Sequence, residues 1–359
     1  MNTDVTRLNN NEAFMKTTLK DVAALAGGSL ATASLALNNG KGVSAETRQR
    51  VLAAARKLNY VQSSIGRNLI TGRSYTVGLY ILNAQNNPDL TGECAYFYPL
   101  LRGVWNVAEK EGYSLNFAVK LWEEIEQSNF IIQKALDQSI DGMIIIPQYT
   151  YYYSFLQELE RIGFPYVLIN PVTCLDRGKS ITLDNYLGAS LATQYLIDQG
   201  VTRLGFINGP PNHHDAIVRE RGFIETAARA GIKVDRELIE YGDFTTRSGY
   251  QAMNKILERE GAPEGLFCAN DYMATGAMHA LYNHGYRVPQ DVAIIGYDDT
   301  DVASSVYPQL STVRNPTYEI GQAAMQRLLA YIQGETGLPE IVFKPELIIR
   351  ESCRKKDSQ

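Results

Sequence analysis

Between residues 18 and 58 the apolar positions recur at helical spacing. Leu19, Val22, Ala23 and Ala26 mark one face of a first helix, entered at Thr18, with Asp21 in capping-box spacing. Ala26-Gly27-Gly28 makes a tight turn. Ser29 can cap a second helix over 30–37, in which Ala33, Ala36 and Leu37 face inward, leaving Ser29, Leu30, Ala31, Thr32, Ser34 and Leu35 outward. A loop over 38–42 follows. Ser44 then caps a third helix with Val51, Leu52, Ala55 and Leu58 on its apolar side and Arg48, Arg50, Arg56 and Lys57 on its polar side.

From Tyr75 the pattern changes. Short apolar runs at 77–82, 114–119, 142–146, 166–169, 204–207, 265–268 and 292–295 alternate with amphipathic stretches at 99–111, 125–138, 188–199, 219–230, 248–260 and 273–284. Strand–helix alternation predicts parallel, doubly wound sheets. Two such blocks in tandem predict two Rossmann-like lobes with a ligand at the carboxyl ends of their strands. The chain thus reads as an all-α helix-turn-helix head joined to an α/β body.

Charge separates the two parts further. Residues 1–73 hold ten Lys/Arg against four Asp/Glu, a net of +6, while the remainder of the 359-residue chain is at −11. A basic head on an acidic body predicts that only the head meets a polyanion, although a three-helix module can equally dock on protein. Cys94, Cys174, Cys268 and Cys353 are far apart, which argues for buried thiols over a disulfide framework or zinc site. No apolar run has membrane-spanning length and no signal-peptide pattern opens the chain, so a cytoplasmic protein is expected. Residues 1–15 read as a polar, disordered lead-in, with Met15 an alternative start. No G-x-G-x-x-G opens a helix after a strand, and phosphate loop, nucleophile elbow and metal cluster are all missing. Neither a cofactor nor an enzyme activity is expected.

The block TLKDVAALAG-x-S-x-AT-x-S-x-ALN, followed by VSAETRQRVLAAARKLNY, resembles the LacI family of bacterial transcription regulators, and the likeness runs from Lys16 to about Arg350. The resemblance implies a head over 16–62, a hinge over 63–74 and a periplasmic-binding-protein-like core over 75–350. It divides that core into an N-lobe of about 75–171 and 316–335 and a C-lobe of about 180–311 and 341–350, with crossings near 171–184, 311–316 and 334–341; 351–359 is left as a tail. It implies that Thr18, Ser29, Leu30, Ala31, Thr32, Ser34, Leu35, Asn38, Arg67 and Leu69 meet operator DNA, Leu69 wedging into the minor groove at the centre of a palindrome. Three positions depart from the family's habit. Leu35 stands where an arginine reads base edges, Gly28 replaces a valine and leaves less core, and Gly66 replaces an alanine in the hinge helix. Together they imply an atypical operator, weaker affinity, or both.

In the core the resemblance implies a small-molecule effector, by family habit a mono- or oligosaccharide, held by Tyr96, Phe97, Tyr149, Asn170, Arg219, Phe244, Asn270, Asp271 and Asp298. Arg219 offers a fixed fork of donors for hydroxyls, Asp298 accepts from them and Phe244 stacks on an apolar sugar face. Asn170 occupies a position that is often aspartate, so one charge is missing. The aromatic run 149–155 either lines the cleft mouth or packs a helix start. His213 and His214 read as loop residues, since no acidic or cysteine partner stands at metal-ligand spacing. A homodimer is expected because one head reads half a palindrome, and the polar tail ESCRKKDSQ is too short for a tetramer bundle. Alternatives are a pure solute-binding protein, an enzyme, and a sensor of a phosphocarrier protein. Whether ligand releases DNA or promotes its binding is open.

Overall fold

The computed structural model describes residues 17–38, 40–60, 72–83, 97–121, 124–125, 128–149, 153–172 and 174–353. It divides into two compact units, Met1–Ser74 and Tyr75–Gln359.

The first unit carries helices α1 (Leu19–Leu25), α2 (Leu30–Leu37) and α3 (Ala45–Lys57). Thr18 and Asp21 close a reciprocal capping box on α1, and Gly27 takes φ +64° where the chain leaves it, a conformation glycine reaches at no steric cost. Val22, Ala23, Ala26, Ala33, Ala36, Val51, Ala54 and Ala55 form a core built mostly of alanine, which lets the three short helices approach closely. Gly28 does not thin this core. It is exposed, and a Cβ there would meet only Thr32, at van der Waals distance.

The second unit is two α/β lobes. Its elements are β1 (Thr76–Asn83), α4 (Phe97–Lys110), β2 (Ser114–Leu121), α5 (Phe130–Leu136), β3 (Gly142–Pro147), α6 (Ser154–Arg161), β4 (Tyr166–Ile169), β5 (Ser180–Leu183), α7 (Asn185–Asp198), β6 (Leu204–Asn208), α8 (His214–Arg229), β7 (Ile239–Tyr241), α9 (Thr246–Glu260), β8 (Gly265–Cys268), α10 (Asp271–Asn283), β9 (Ala293–Asp298), α11 (Asp301–Ser305), β10 (Ser311–Arg314), α12 (Thr317–Ile332), β11 (Ile341–Phe343) and β12 (Glu346–Ile348). Among the described residues they form two six-stranded sheets, β11-β5-β4-β3-β1-β2 and β12-β10-β9-β8-β6-β7. The pairings are parallel except β10 with β12. Strands such as β3 are buried on both faces: Ile144 and Ile146 join the main core under α4 and α12, while Met143 and Ile145 join a second cluster under α5 and α6. This is why they read as continuous apolar runs.

Strand pairing corrects the expected lobe boundaries. Ser180–Leu183 pairs with β4 and with Ile341–Phe343, so both segments belong to the first sheet rather than to the C-lobe. The chain therefore crosses at Asp184, at Asn315–Pro316 and at Lys344–Pro345; the third crossing lies beyond the expected 334–341. The core also extends past Arg350. Ser352 is fully buried and donates to the carbonyls of Gln309 and Ile294, and Cys353 packs beside it, so the tail cannot begin at 351. The helix expected over 125–138 has its regular part at Phe130–Leu136, entered through Asn129 at φ +50°.

In the N-lobe, α4 and α12 cross on glycine. A Cβ on Gly103 would be driven into the Tyr318 carbonyl, and one on Gly321 into the Leu100 carbonyl. Gly103→Ala is expected to cost about 1–3 kcal/mol by overpacking a backbone contact. Urea unfolding measures this, and a change indistinguishable from zero would show that the crossing yields freely.

Candidate functional site

On the first unit, Ser29 caps α2 by accepting from the Thr32 amide, at 3.1 Å, and pairs with the Thr32 hydroxyl at 2.9 Å. With Ala33 and Ala36 buried, α2 presents Ser29, Leu30, Ala31 and Leu35 to the exterior and keeps Thr32 and Ser34 half-exposed. Leu30 and Leu35 are 53% and 44% exposed, an unusual investment of apolar surface on a helix that small residues otherwise keep slim. Asn38 turns its amide back to the Ser34 carbonyl at 2.9 Å, and Thr18 is exposed but committed to its capping box. Arg67, Leu69 and Gly66 lie outside the described residues, as does Tyr96.

Arg48 takes a place that sequence reasoning did not give it. Instead of decorating the polar side of α3, it reaches back to the carbonyls of Ala36, at 3.2 Å, and Gly40, at 2.8 Å. A guanidinium on the Ala36 carbonyl, in the last turn of α2, satisfies an acceptor that the helix leaves open and favours its negative dipole end, while the Gly40 contact ties the loop that follows. It fixes the end of the exposed helix.

In the second unit, the loops at the carboxyl ends of the strands converge. Arg219 lies one turn inside α8 and is 3% exposed. Its Nε donates to Asn185 Oδ1 at 2.9 Å and its Nη1 to the Ala269 carbonyl at 2.5 Å, and Nη2 stands 3.8 Å from Asp298 Oδ1. The guanidinium lies 3.8 Å from the centroid of the Tyr297 ring. Asp298, at the end of β9, has φ +104° and accepts from Asn315 at 3.2 Å; burial raises its pKa although Arg219 opposes the rise. Asn270 caps α10 and donates to the Phe244 carbonyl at 2.8 Å, holding a loop whose Phe244 sits at φ +69°. Positive φ at Asn170, Phe244, Asp298 and Asp299 concentrates backbone strain at these strand ends.

Asp271 stands behind this constellation rather than in it. Fully buried, it accepts from the Thr300 amide and hydroxyl at 2.7 and 3.0 Å and from the Thr312 hydroxyl at 2.5 Å, which leaves it no open edge for a ligand. It holds the turn that carries Asp298. Burial, with Asp298 beside it, pushes its pKa up to about 8.

Across the lobes, Asn170 Nδ2 donates to Asp215 Oδ2 at 3.2 Å, while its Oδ1 accepts from the Leu183 amide at 2.8 Å. The charge thought missing at Asn170 is thus an amide that faces an acid. The His214 amide donates to the Gln148 carbonyl at 3.0 Å, and Tyr149 and His213 form a β-bridge. Tyr149, His213 and Phe244 stack edge to face at 5.2 and 4.9 Å. His213 is therefore a loop residue that is also buried between two cleft aromatics, and burial lowers its pKa to about 4. Of the aromatic run, Tyr149 reaches the interlobe contact, whereas Tyr153 and Phe155 pack in the N-lobe. Phe97 is half-buried at the start of α4 and packs on the main core. Sequence reasoning missed His213 and Asp215 as members of this cluster; six and four residues ahead of Arg219, they gain their place from contacts with the opposite lobe.

Known proteins match this arrangement. Residues 18–63 match the model for bacterial regulatory proteins of the lacI family, and residues 193–353 that for a periplasmic binding protein-like domain. The HTH-type transcriptional repressor CytR of Escherichia coli K12 is 34% identical over 94% of this chain and 96% of its own length. This chain belongs to the lacI family.

Other members agree. The ribose operon repressor of E. coli K12 is 34% identical over 89% of the chain and 94% of its own. The solved lac repressor dimer, bound to operator and the anti-inducer ONPF, superposes with a TM-score of 0.82 at 26% identity, covering 94% of this chain and 98% of that one. A complex of the regulator CelR with cellobiose gives 0.70 at 33% identity, over 94% and 99%. As a lacI-family protein the chain is a DNA-binding transcriptional regulator with a helix-turn-helix region and a two-lobed, periplasmic-binding-protein-like core. No helix among the described residues is long and apolar enough to cross a membrane. The described cysteines, Cys174, Cys268 and Cys353, are free.

Proposed function

We propose that this protein is a repressor of carbohydrate-utilisation genes that holds a palindromic operator as a homodimer and is switched by a hydroxyl-rich small molecule in the interlobe cleft. The observation that carries the reading is the Arg219–Asp298 pair at the carboxyl ends of the C-lobe strands, beside Phe244 and opposite Asn170 and Tyr149. A planar donor fork, a carboxylate acceptor and an aromatic face are what a sugar ring requires. Relatives point the same way: one is named a ribose operon repressor and another was solved with cellobiose.

On this reading α2 enters the major groove, and Leu30 and Leu35 offer apolar contact to thymine methyl groups where an arginine would select guanine. Arg67 and Leu69 act in the hinge. Ligand shifts the population of lobe arrangements and so the spacing of the two hinges, with a coupling of about 1–3 kcal/mol. The protein works in the cytoplasm and catalyses nothing. Selection of genomic DNA fragments by the purified protein, with and without a pool of sugars, tests the proposal. An enriched palindrome that is lost or gained with sugar is expected. Enrichment of nothing above a salt-sensitive background would overturn it.

A further inference from the structure

We infer that Asp215 sets the charge class that the cleft accepts, admitting neutral, hydrogen-bond-donating ligands and rejecting phosphorylated or carboxylated ones. The inference rests on the reading of the cleft as the effector site, and goes beyond it by assigning a residue and a chemical class.

Asp215 occupies the first turn of α8 and is 8% exposed. The partner its carboxylate finds across the lobes, Asn170, is neutral. One turn further along the same helix face lies Arg219, whose charge Asp298 already faces, and whose Nε and Nη1 serve Asn185 and the Ala269 carbonyl. Arg350 is committed to Asp299 at 2.5 Å. His213 adds no positive charge: it is 8% exposed, its Nδ1 has no partner, and burial keeps the ring neutral at pH 7.

Among the described residues this cluster therefore sets three buried carboxylates, Asp215, Asp271 and Asp298, against one guanidinium, that of Arg219, which faces Asp298. Even with a proton held on Asp271, one negative charge remains in surplus. In a low-dielectric cleft that surplus repels an anion strongly, because Coulomb energy scales inversely with the local dielectric. A hydroxyl or amine suffers no such penalty. It can donate to Asp215. Like-charge juxtaposition of this kind discriminates between ligands of one shape and different charge. The amide at Asn170 fits the same logic, since an aspartate there would set a second carboxylate against Asp215.

The test uses the full chain, wild type and Asp215→Asn, in thermal-shift and calorimetric titrations at matched ionic strength. The probes are inorganic phosphate, D-ribose, D-ribose 5-phosphate, cellobiose and cellobiose 6′-phosphate. Asparagine keeps an oxygen for Asn170 and removes the charge; Asp215→Ser repeats the removal should the first variant fold poorly. Wild type is expected to gain nothing from phosphate or the esters beyond a chloride control. Where a neutral sugar binds, its ester should bind at least about tenfold more weakly. In Asp215→Asn that gap should narrow and phosphate should begin to stabilise. An ester that binds wild type as tightly as its parent sugar overturns the inference, as does a variant whose response to anions is unchanged. If both sugars fail with wild type while Asp215→Asn gains phosphate binding, the charge rule stands and the sugar reading of the site loses its support.

Discussion

Arg219→Met is expected to destabilise the core by about 3–5 kcal/mol and to abolish any effect of ligand on DNA binding. Methionine fills most of the volume, so the loss is electrostatic rather than a cavity. The guanidinium is the point at which three segments meet: Asn185 at the start of α7, the Ala269 carbonyl after β8, and Asp298 at the end of β9. Removing it leaves a buried carbonyl and amide oxygen without donors and Asp298 without its opposite charge. Arg219→Lys keeps the charge but cannot serve three acceptors from a fixed fork, and should fall between wild type and methionine. Chemical denaturation of the three proteins reads the stabilities. A methionine variant within about 1 kcal/mol of wild type, small beside the cost of a broken buried pair, would mean that Asp298 finds its compensation elsewhere.

How far the molecule was legible in its sequence depended on how local the cause was. The caps at Thr18 and Ser29 involve residues three apart, and both were readable. The buried strands announced themselves as apolar runs, because helices on both faces leave no polar side. By contrast, Ser180–Leu183 and Ile341–Phe343 are too short to show a period, and their sheet is decided by pairing between segments some 160 positions apart in sequence. Arg219 and Asp298 were singled out by the motifs around them, and the fold brings the two within 3.8 Å. Asp271 was placed in the site by its neighbour Asn270, yet its role turns on Thr300 and Thr312, which the sequence does not bring near. Arg48, His213 and Asp215 carried no local signal of their place in the structure. The first gains it from carbonyls 12 and 8 residues away, the other two from burial against the opposite lobe.

Asp271 should give the core an unusual dependence on pH. Its carboxyl titrates near 3.8 when exposed and near 8 in the fold, because burial and the adjacent Asp298 disfavour the charge more than the three threonine hydrogen bonds favour it. Between those values the native state binds a proton that the unfolded chain does not, so stability falls as pH rises. The contribution is complete below 3.8 and lost as pH passes 8, with a limiting slope of about 1.4 kcal/mol per pH unit. Asp298, also raised by burial, acts in the same direction. His213 acts in the other: its folded value of about 4 lies below the ordinary 6.5, so its contribution is present above 6.5 and lost as pH falls through 4. The two oppose each other in mildly acidic solution, which leaves pH 6.5–8 as the window where the aspartate dominates. Asp271→Asn isolates it. The amide can turn its oxygen to Thr300 and its NH2 to Thr312, imitating the protonated acid without titrating. Urea unfolding across this window should show wild type losing stability with rising pH while the variant loses clearly less. Parallel slopes would mean that Asp271 is ionised in the fold throughout, and that Arg219 neutralises more of this cluster than the geometry around Asp298 allows.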